Sequence, residues 1–487
     1  MQRGKLICTL LILAVVGGAA QARAKVVEDV SGSLKTLTSI GDALDSPDHH
    51  PVHILYIHGI DAVGAGGSVL LRQSICTKLK LCAVKDWKNA GVEFPDKGEF
   101  ADGVEPPKLN YLGSPVWENA EEWHDSAPFV VHWVAHLRGH PSILVVDEIN
   151  WWPLTLALKC RRVVAPEAYL AGPYGFLLQF CSDQKAQAPN GMGRFYPWIK
   201  ADEAAELEMI QPRGVRINRS LKDDIVDWGL TDVLLTTGQL GGILRDGVRQ
   251  LMAKSAAFDP RDASDSPETS DRRERYKWWE QLRSDNTMDQ EFVGVTHSLG
   301  SYLFFNTLNP EPSGAAFPSQ TAQDAAWQTD ENEAVRYIFE RMSLVHFLAN
   351  QLELLEITNL EITQQTPSAA IQPRGLAPPP APVTPAADFR SLVNRWKQMQ
   401  TKFQAALHPN DEAARRKVQV VAWSDPSDVI TFRVPDIGDV NVVNLYVQNA
   451  RRWFGLFEAP DGAHCDYAKN KDVLRVMFEN TKHRGRD

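Results

Sequence analysis

Four stretches of this chain are apolar almost without interruption and rich in β-branched residues. They are "VHILYIHGID" (52–61), "SILVVDEINW" (142–151), "FVGVTHSLG" (292–300) and "VQVVAWSDPSD" (418–428). Two weaker runs, "SLVHFLANQ" (343–351) and "VVNLYVQNA" (442–450), share the pattern. A half-exposed strand alternates apolar and polar residues. A continuous run has to be buried on both faces, as in a parallel sheet covered by helices. Helical patterns fall between the runs, for example "VLLTTGQLGGILRDGVRQLMAK" (233–254). The predicted class is α/β, with a mostly parallel central sheet flanked by helices.

Large insertions separate these elements, at roughly 62–141, 156–230 and 307–416. They are long enough to form a cap or lid over the end of a sheet. Residues 366–387 carry "QPRGLAPPPAPVTPAA", an extended Pro/Ala linker. Behind it Phe389, Leu392, Val393, Trp396, Met399, Phe403 and Leu407 fall on one helical face. Core packing is the plain reading of that face, and a lid over a substrate pocket the sharper one.

Residues 1–24 have the layout of a secretory signal peptide. Arg3 and Lys5 precede an apolar run from Leu6 to Val16, and small residues end in Ala22-Arg23-Ala24. The expectation is an exported protein, periplasmic or extracellular, with an N-terminal arm (25–50) and one domain over 51–487. Removing 1–24 removes Arg3, Lys5 and Arg23 and no acid, so the net charge goes from −10 to −13. That balance argues against a nucleic-acid partner, which wants a basic face. Lys and Arg are scattered, so there is no polybasic membrane patch. Export also makes disulfides available. Cys76, Cys82, Cys160, Cys181 and Cys465 follow the leader. The economical pairing is Cys76–Cys82 and Cys160–Cys181, leaving Cys465 over; the alternative is five buried thiols.

The run at 292–300 leads from strand formers into a possible helix, with Ser298 at the junction. Strand, x-Ser-x-Gly, helix describes a turn that exposes a serine hydroxyl at the carboxyl end of a sheet. Gly300 and Ser301 supply small residues after it, whereas Thr296 is larger than the glycine usual two positions before. The competing reading is an N-cap serine. The run "ILYIHGID" ends in His58-Gly59, where a glycine lets the backbone approach a substrate closely. Backbone N–H groups of Ile60 and of Leu299 would then face a developing oxyanion. The glycines at 64, 66 and 67 lack the phosphate-loop pattern. A nucleophilic serine needs a histidine, and the histidine a carboxylate. "SDPSDVI" offers Asp425 and Asp428, and "PDGAHCDYAKN" offers His464.

Taken as a set, "HGID", "VTHSLGS", "SDPSDVI" and "AHCDYAKN" resemble the α/β-hydrolase superfamily, and the H-S-L-G turn resembles that of lipases and serine esterases. The resemblance covers the sheet positions from about residue 51 onward, not the insertions. It implies the α/β-hydrolase fold, a mostly parallel sheet of about eight strands and an acyl-enzyme mechanism. The chain order serine, acid, histidine matches it. It also favours Asp428, through its Asp-Val-Ile context, with Asp425 as the alternative acid.

Other candidates are weaker. His132, His136 and His140 recur every four residues, but a β-branched segment followed by Gly139-His140-Pro141 reads as a hairpin rather than a metal-binding helix. His58 and His297 adjoin the two loops and read as supporting residues. The aromatic groups at 150–155, 276–282 and 451–457 read as core and cap packing, or alternatively as an acyl pocket. The expected function is an exported serine hydrolase acting on carboxylic esters, lipid or other, without metal or organic cofactor, in transient contact with lipid if the substrate is one. The rivals are a non-catalytic binding protein on the same scaffold, and a thioesterase or amidase with the same triad.

Overall fold

The computed structural model describes residues 27–29, 37–59, 67–83, 87–89, 129–152, 155, 230–238, 241–261, 289–309, 322–352, 388–428, 430–449, 452–453, 457–458 and 460–479. All six apolar runs are strands of one sheet. In chain order its strands are β1 (Val27–Asp29), β2 (Val52–Ile57), β3 (Lys88–Asn89), β4 (Phe129–His136), β5 (Ile143–Asn150), β6 (Glu291–His297), β7 (Met342–Leu348), β8 (Gln419–Ser424) and β9 (Asn441–Val447). Across the sheet they lie in the order β1-β9-β8-β7-β6-β2-β5-β4-β3. The six expected strands form one parallel block, β9-β8-β7-β6-β2-β5. The ladders β4·β5, β3·β4 and β1·β9 are antiparallel. The fold is therefore α/β with a mostly parallel sheet.

Helices cover both faces, which is why strands such as β2, β7 and β8 are buried at every position. In chain order they are α1 (Ile40–Leu44), α2 (Val69–Thr77), α3 (Thr231–Thr237), α4 (Gly241–Ala257), α5 (Gly300–Asn306), α6 (Ala322–Arg341), α7 (Phe389–Leu407), α8 (Pro460–Cys465) and α9 (Lys471–Phe478). One core joins Leu55, Ile57, Phe292 and Phe347 of the sheet to side chains of α4 to α7. The other joins Ile54, Val146, Val293 and Val443 to α1, α2 and α9. Among the described residues no helix is long and apolar enough to cross a membrane.

Several boundaries differ from expectation. The arm at 25–50 is built into the fold: β1 pairs with β9, and α1 packs in the second core. The ranges 62–141 and 307–416 are not insertions throughout, because α2 and β4 lie in the first and α6, β7 and α7 in the second. The helix at 389–407 is core rather than lid. Asp388 caps it by accepting the Ser391 N–H at 2.6 Å, and its fully buried Trp396 donates Nε1–H to Phe339 and Met342 carbonyls. The pattern at 233–254 divides into α3 and α4 at an extended Gly238. The hairpin read at 139–141 is present, with Gly139 at φ +81° joining β4 to β5. A disulfide joins Cys76 to Cys82, and Cys465 is exposed. Residues 1–24, Cys160, Cys181, the range 156–229 and the linker at 366–387 lie outside the described residues.

Topology sets where a site can form. The chain passes from β2 to β5 on one side, then returns to place β6, β7, β8 and β9 in turn on the other side of β2. The order reverses between β2 and β6, and open α/β sheets bind their ligands outside the carboxyl ends of the strands at such a reversal. The registers Ile57↔Thr296, His297↔Leu348 and Leu348↔Trp423 bring these strand ends level. His58, Ser298, Ala349 and Asp425 thus stand along one rim.

Candidate active site

β6 ends at His297 and α5 begins at Gly300, so strand turns into helix over Ser298 and Leu299. Ser298 has φ 54°, in the left-handed region. That conformation costs a non-glycine residue on the order of 1 kcal/mol or more and needs surrounding structure to impose it. Two backbone bonds do so here. The Ser298 N–H donates to the Leu348 carbonyl at 2.9 Å, and the Ser301 N–H to the Ser298 carbonyl at 3.1 Å. Ala349 repeats the device one strand over, at φ 53°, donating to the Trp423 carbonyl at 3.2 Å.

Two glycines are required by close approach. A Cβ on Gly300 would lie 2.5 Å from the carbonyl oxygens of both Ile57 and His58. A Cβ on Gly59 would lie 2.6 Å from that of Ser298. The end of β2 and the start of α5 therefore pass at backbone contact. Thr296 fits this crowded turn because its hydroxyl lies 2.7 Å from the Ser301 Oγ, so both buried hydroxyls are satisfied. Leu299 opens α5 and is buried. Ile60 lies outside the described residues.

The structure brings His464 and Asp428 together. His464 Nδ1–H donates to Asp428 Oδ2 at 2.8 Å, with side-chain exposures of 14% and 2%. With Nδ1 directed at Asp428, Nε2 is the ring nitrogen that remains for another group. The other Asp428 oxygen accepts the Ile430 N–H at 3.2 Å. Asp425 is engaged differently. Its Oδ1 accepts the Ser427 N–H at 2.8 Å, its Oδ2 the Asn449 N–H at 2.6 Å, and its own N–H donates to the Tyr467 hydroxyl. It pins the β8 and β9 loops to each other and does not hold His464.

His297 connects the two halves. Its Nε2–H donates to the His464 carbonyl at 2.8 Å, and the two rings meet edge to face at 5.0 Å. Burial, and then the neighbouring His464, push the His297 imidazole down to about 4. Among the described residues, neither Ser298 Oγ nor His464 Nε2 has a hydrogen-bond partner, although both atoms are buried. They are therefore not bonded to each other in this conformation.

Neighbouring strand ends complete the surroundings. The His58 ring stacks on Trp151 at 5.4 Å, and Trp151 Nε1–H donates to the His58 carbonyl. Buried Glu148 accepts the N–H groups of Gly67 (2.7 Å) and Ser68 (3.1 Å) and the Ser68 hydroxyl (2.7 Å). It thereby holds the far end of the glycine-rich loop at the start of α2. The roles of Asn449, Tyr467 and Glu148 escaped sequence reading, because each acts on a segment distant in sequence and carries no local pattern. Of the histidines considered for a metal, His132 donates to Asp147 and His140 donates to Asp45.

The chain matches no protein family, no curated protein and no solved structure. Function has to be read from the residues themselves.

Proposed function

We propose that this protein is an exported serine hydrolase of the α/β-hydrolase fold that cleaves carboxylic esters. One observation carries the reading. A serine in left-handed backbone at a strand-to-helix turn follows His297, which donates to the carbonyl of a histidine whose Nδ1 is held by a buried carboxylate. In the proposed reaction Ser298 Oγ attacks the ester carbonyl while His464 Nε2 takes its proton. Asp428 orients the imidazole and stabilises the imidazolium. The backbone N–H groups of Leu299 and Ile60 receive the tetrahedral oxyanion. His464 then protonates the leaving alcohol. Water, activated by the same nitrogen, attacks the acyl-serine carbonyl and releases the acid. No step calls for a metal or organic cofactor. The layout of residues 1–24 supports export.

The test is hydrolysis of p-nitrophenyl esters from acetate to palmitate by the mature protein and by Ser298→Ala. The expected result is chain-length-dependent activity that falls by at least about 10³-fold in the variant. Fluorophosphonate should label Ser298 alone. Equal rates from both proteins together with no labelling would remove the hydrolase reading and leave a binding protein on this scaffold.

A further inference from the structure

We propose that His297 is a positioning residue whose imidazole N–H ties the loop of the base to the turn of the nucleophile, an inference that rests on the serine-hydrolase reading. His464 does not belong to the sheet. It lies on the six-residue helix α8, a short segment with little stability of its own. Three contacts hold it in register. Asp428 fixes the ring through Nδ1, Asn449 donates Nδ2–H to the Ala463 carbonyl at 2.9 Å, and His297 donates Nε2–H to the His464 carbonyl at 2.8 Å. The first two come from the β8 and β9 loops. The third comes from the residue next to Ser298.

That difference gives His297 its function. The distance between a nucleophile and its base has to hold to a fraction of an ångström, and a misplacement of about 1 Å costs on the order of 10²-fold. Asp428 and Asn449 fix His464 relative to the far half of the sheet. His297 fixes it relative to β6, where the nucleophile stands. The imidazole has little room to leave: a Cβ on Gly59 would come within 3.1 Å of His297 Nδ1, and Tyr467 lies edge-on at 6.5 Å. The choice of histidine is also electrostatic. It remains neutral above about pH 4, so it donates a hydrogen bond without setting a fixed positive charge beside an imidazole that must itself become cationic. A lysine or arginine would donate as well but would oppose that step.

The test compares His297→Phe, which keeps a ring and loses the donor, with His297→Gln, whose amide N–H reaches the Nε2 position. On a p-nitrophenyl ester, kcat should fall about 10- to 100-fold in the Phe variant with KM within about threefold, and His297→Gln should recover to within about fivefold of the parent. The downfield proton of the His464 Nδ1–H···Asp428 bond, observed in ¹⁵N-histidine protein, should shift or broaden with Phe and persist with Gln. If the Phe variant does not fold, His297→Asn, whose amide stops at the Nδ1 position, takes its place. A donorless variant with parental kcat and an unmoved resonance overturns the proposal. A parent that hydrolyses no ester, yet shows the resonance shift in the donorless variant alone, sinks the hydrolase reading and leaves the tie standing.

Discussion

Two imidazole–carboxylate pairs in this molecule are alike in length and unlike in setting. His464 donates Nδ1–H to Asp428 at 2.8 Å, and His53 donates Nδ1–H to Asp147 at 2.8 Å. The first joins two loops at the rim of the sheet. The second joins β2 to β5 within it, with both side chains fully buried. Asp147 also accepts His132 Nδ1–H at 2.6 Å, so each carboxylate oxygen holds one imidazole. Phe292 lies 5.1 Å from the His53 ring, and Phe258 stacks on His132 at 4.1 Å. Burial by itself would raise the Asp147 carboxyl, but its two imidazoles more than offset that and hold it below the usual carboxylate range. A histidine paired with an aspartate is thus no signature of catalysis. What separates the pairs is their surroundings: the His464 carbonyl accepts from His297, the residue before the left-handed Ser298, whereas the His53 ring packs against Phe292 inside the sheet.

The largest test of this contrast sets Asp428→Asn against Asp147→Asn. The first should lower kcat/KM on an ester by on the order of 10³- to 10⁴-fold, since the amide no longer fixes the productive tautomer, while urea unfolding changes little. The second should cost about 2–4 kcal/mol of stability by leaving two buried imidazoles with a poorer partner. Its folded fraction should keep kcat within a few-fold. Lost turnover in folded Asp147→Asn protein would break the distinction.

An acid titration of stability comes next. His297 is pushed to about 4 and His346, enclosed between strands, to about 3, both mainly by burial. Unfolded, each binds a proton near pH 6.5; folded, neither does until far lower. The unfolded state therefore binds more protons, and stability falls as pH drops from 6.5 towards 3. Trp423 Nε1–H donates to His346 Nδ1 at 3.2 Å, and an asparagine would place an acceptor near that atom. His346→Asn should flatten the slope of unfolding free energy against pH in that window. An unchanged slope would mean that His346 does not take up a proton on unfolding as argued.

The smallest effect concerns the turn itself. Ser298→Gly removes both the left-handed strain and a buried, unpartnered hydroxyl, offset in part by the greater freedom of glycine in the unfolded chain. Chemical denaturation should show a gain of about 1 kcal/mol, together with loss of ester hydrolysis. A loss of stability would mean that the Ser298 side chain supports the fold rather than the chemistry.

The apolar runs at 52–61, 142–151, 292–300, 343–351, 418–428 and 442–450 were legible as strands from sequence alone. Burying both faces leaves no room for alternation, and that constraint acts on consecutive residues. The serine turn was legible for the same reason: strand formers, a short polar break and Gly300 are local. Other decisions belonged to the tertiary structure. Asp425 and Asp428 stand three residues apart, and the sequence favoured Asp428 only through the resemblance of its Asp-Val-Ile context, with Asp425 as the alternative. Asp425 is taken by the Asn449 and Ser427 N–H groups, and Asp428 meets His464, because of where β9 and α8 arrive. Thr296 looked too large for its turn until the Ser301 hydroxyl supplied a partner. The helix at 389–407 showed an apolar face without saying what covered it, and only packing made it core. Periodicity and turn chemistry are written along the chain, whereas a hydrogen-bond partner is chosen among groups that only folding brings within 3 Å.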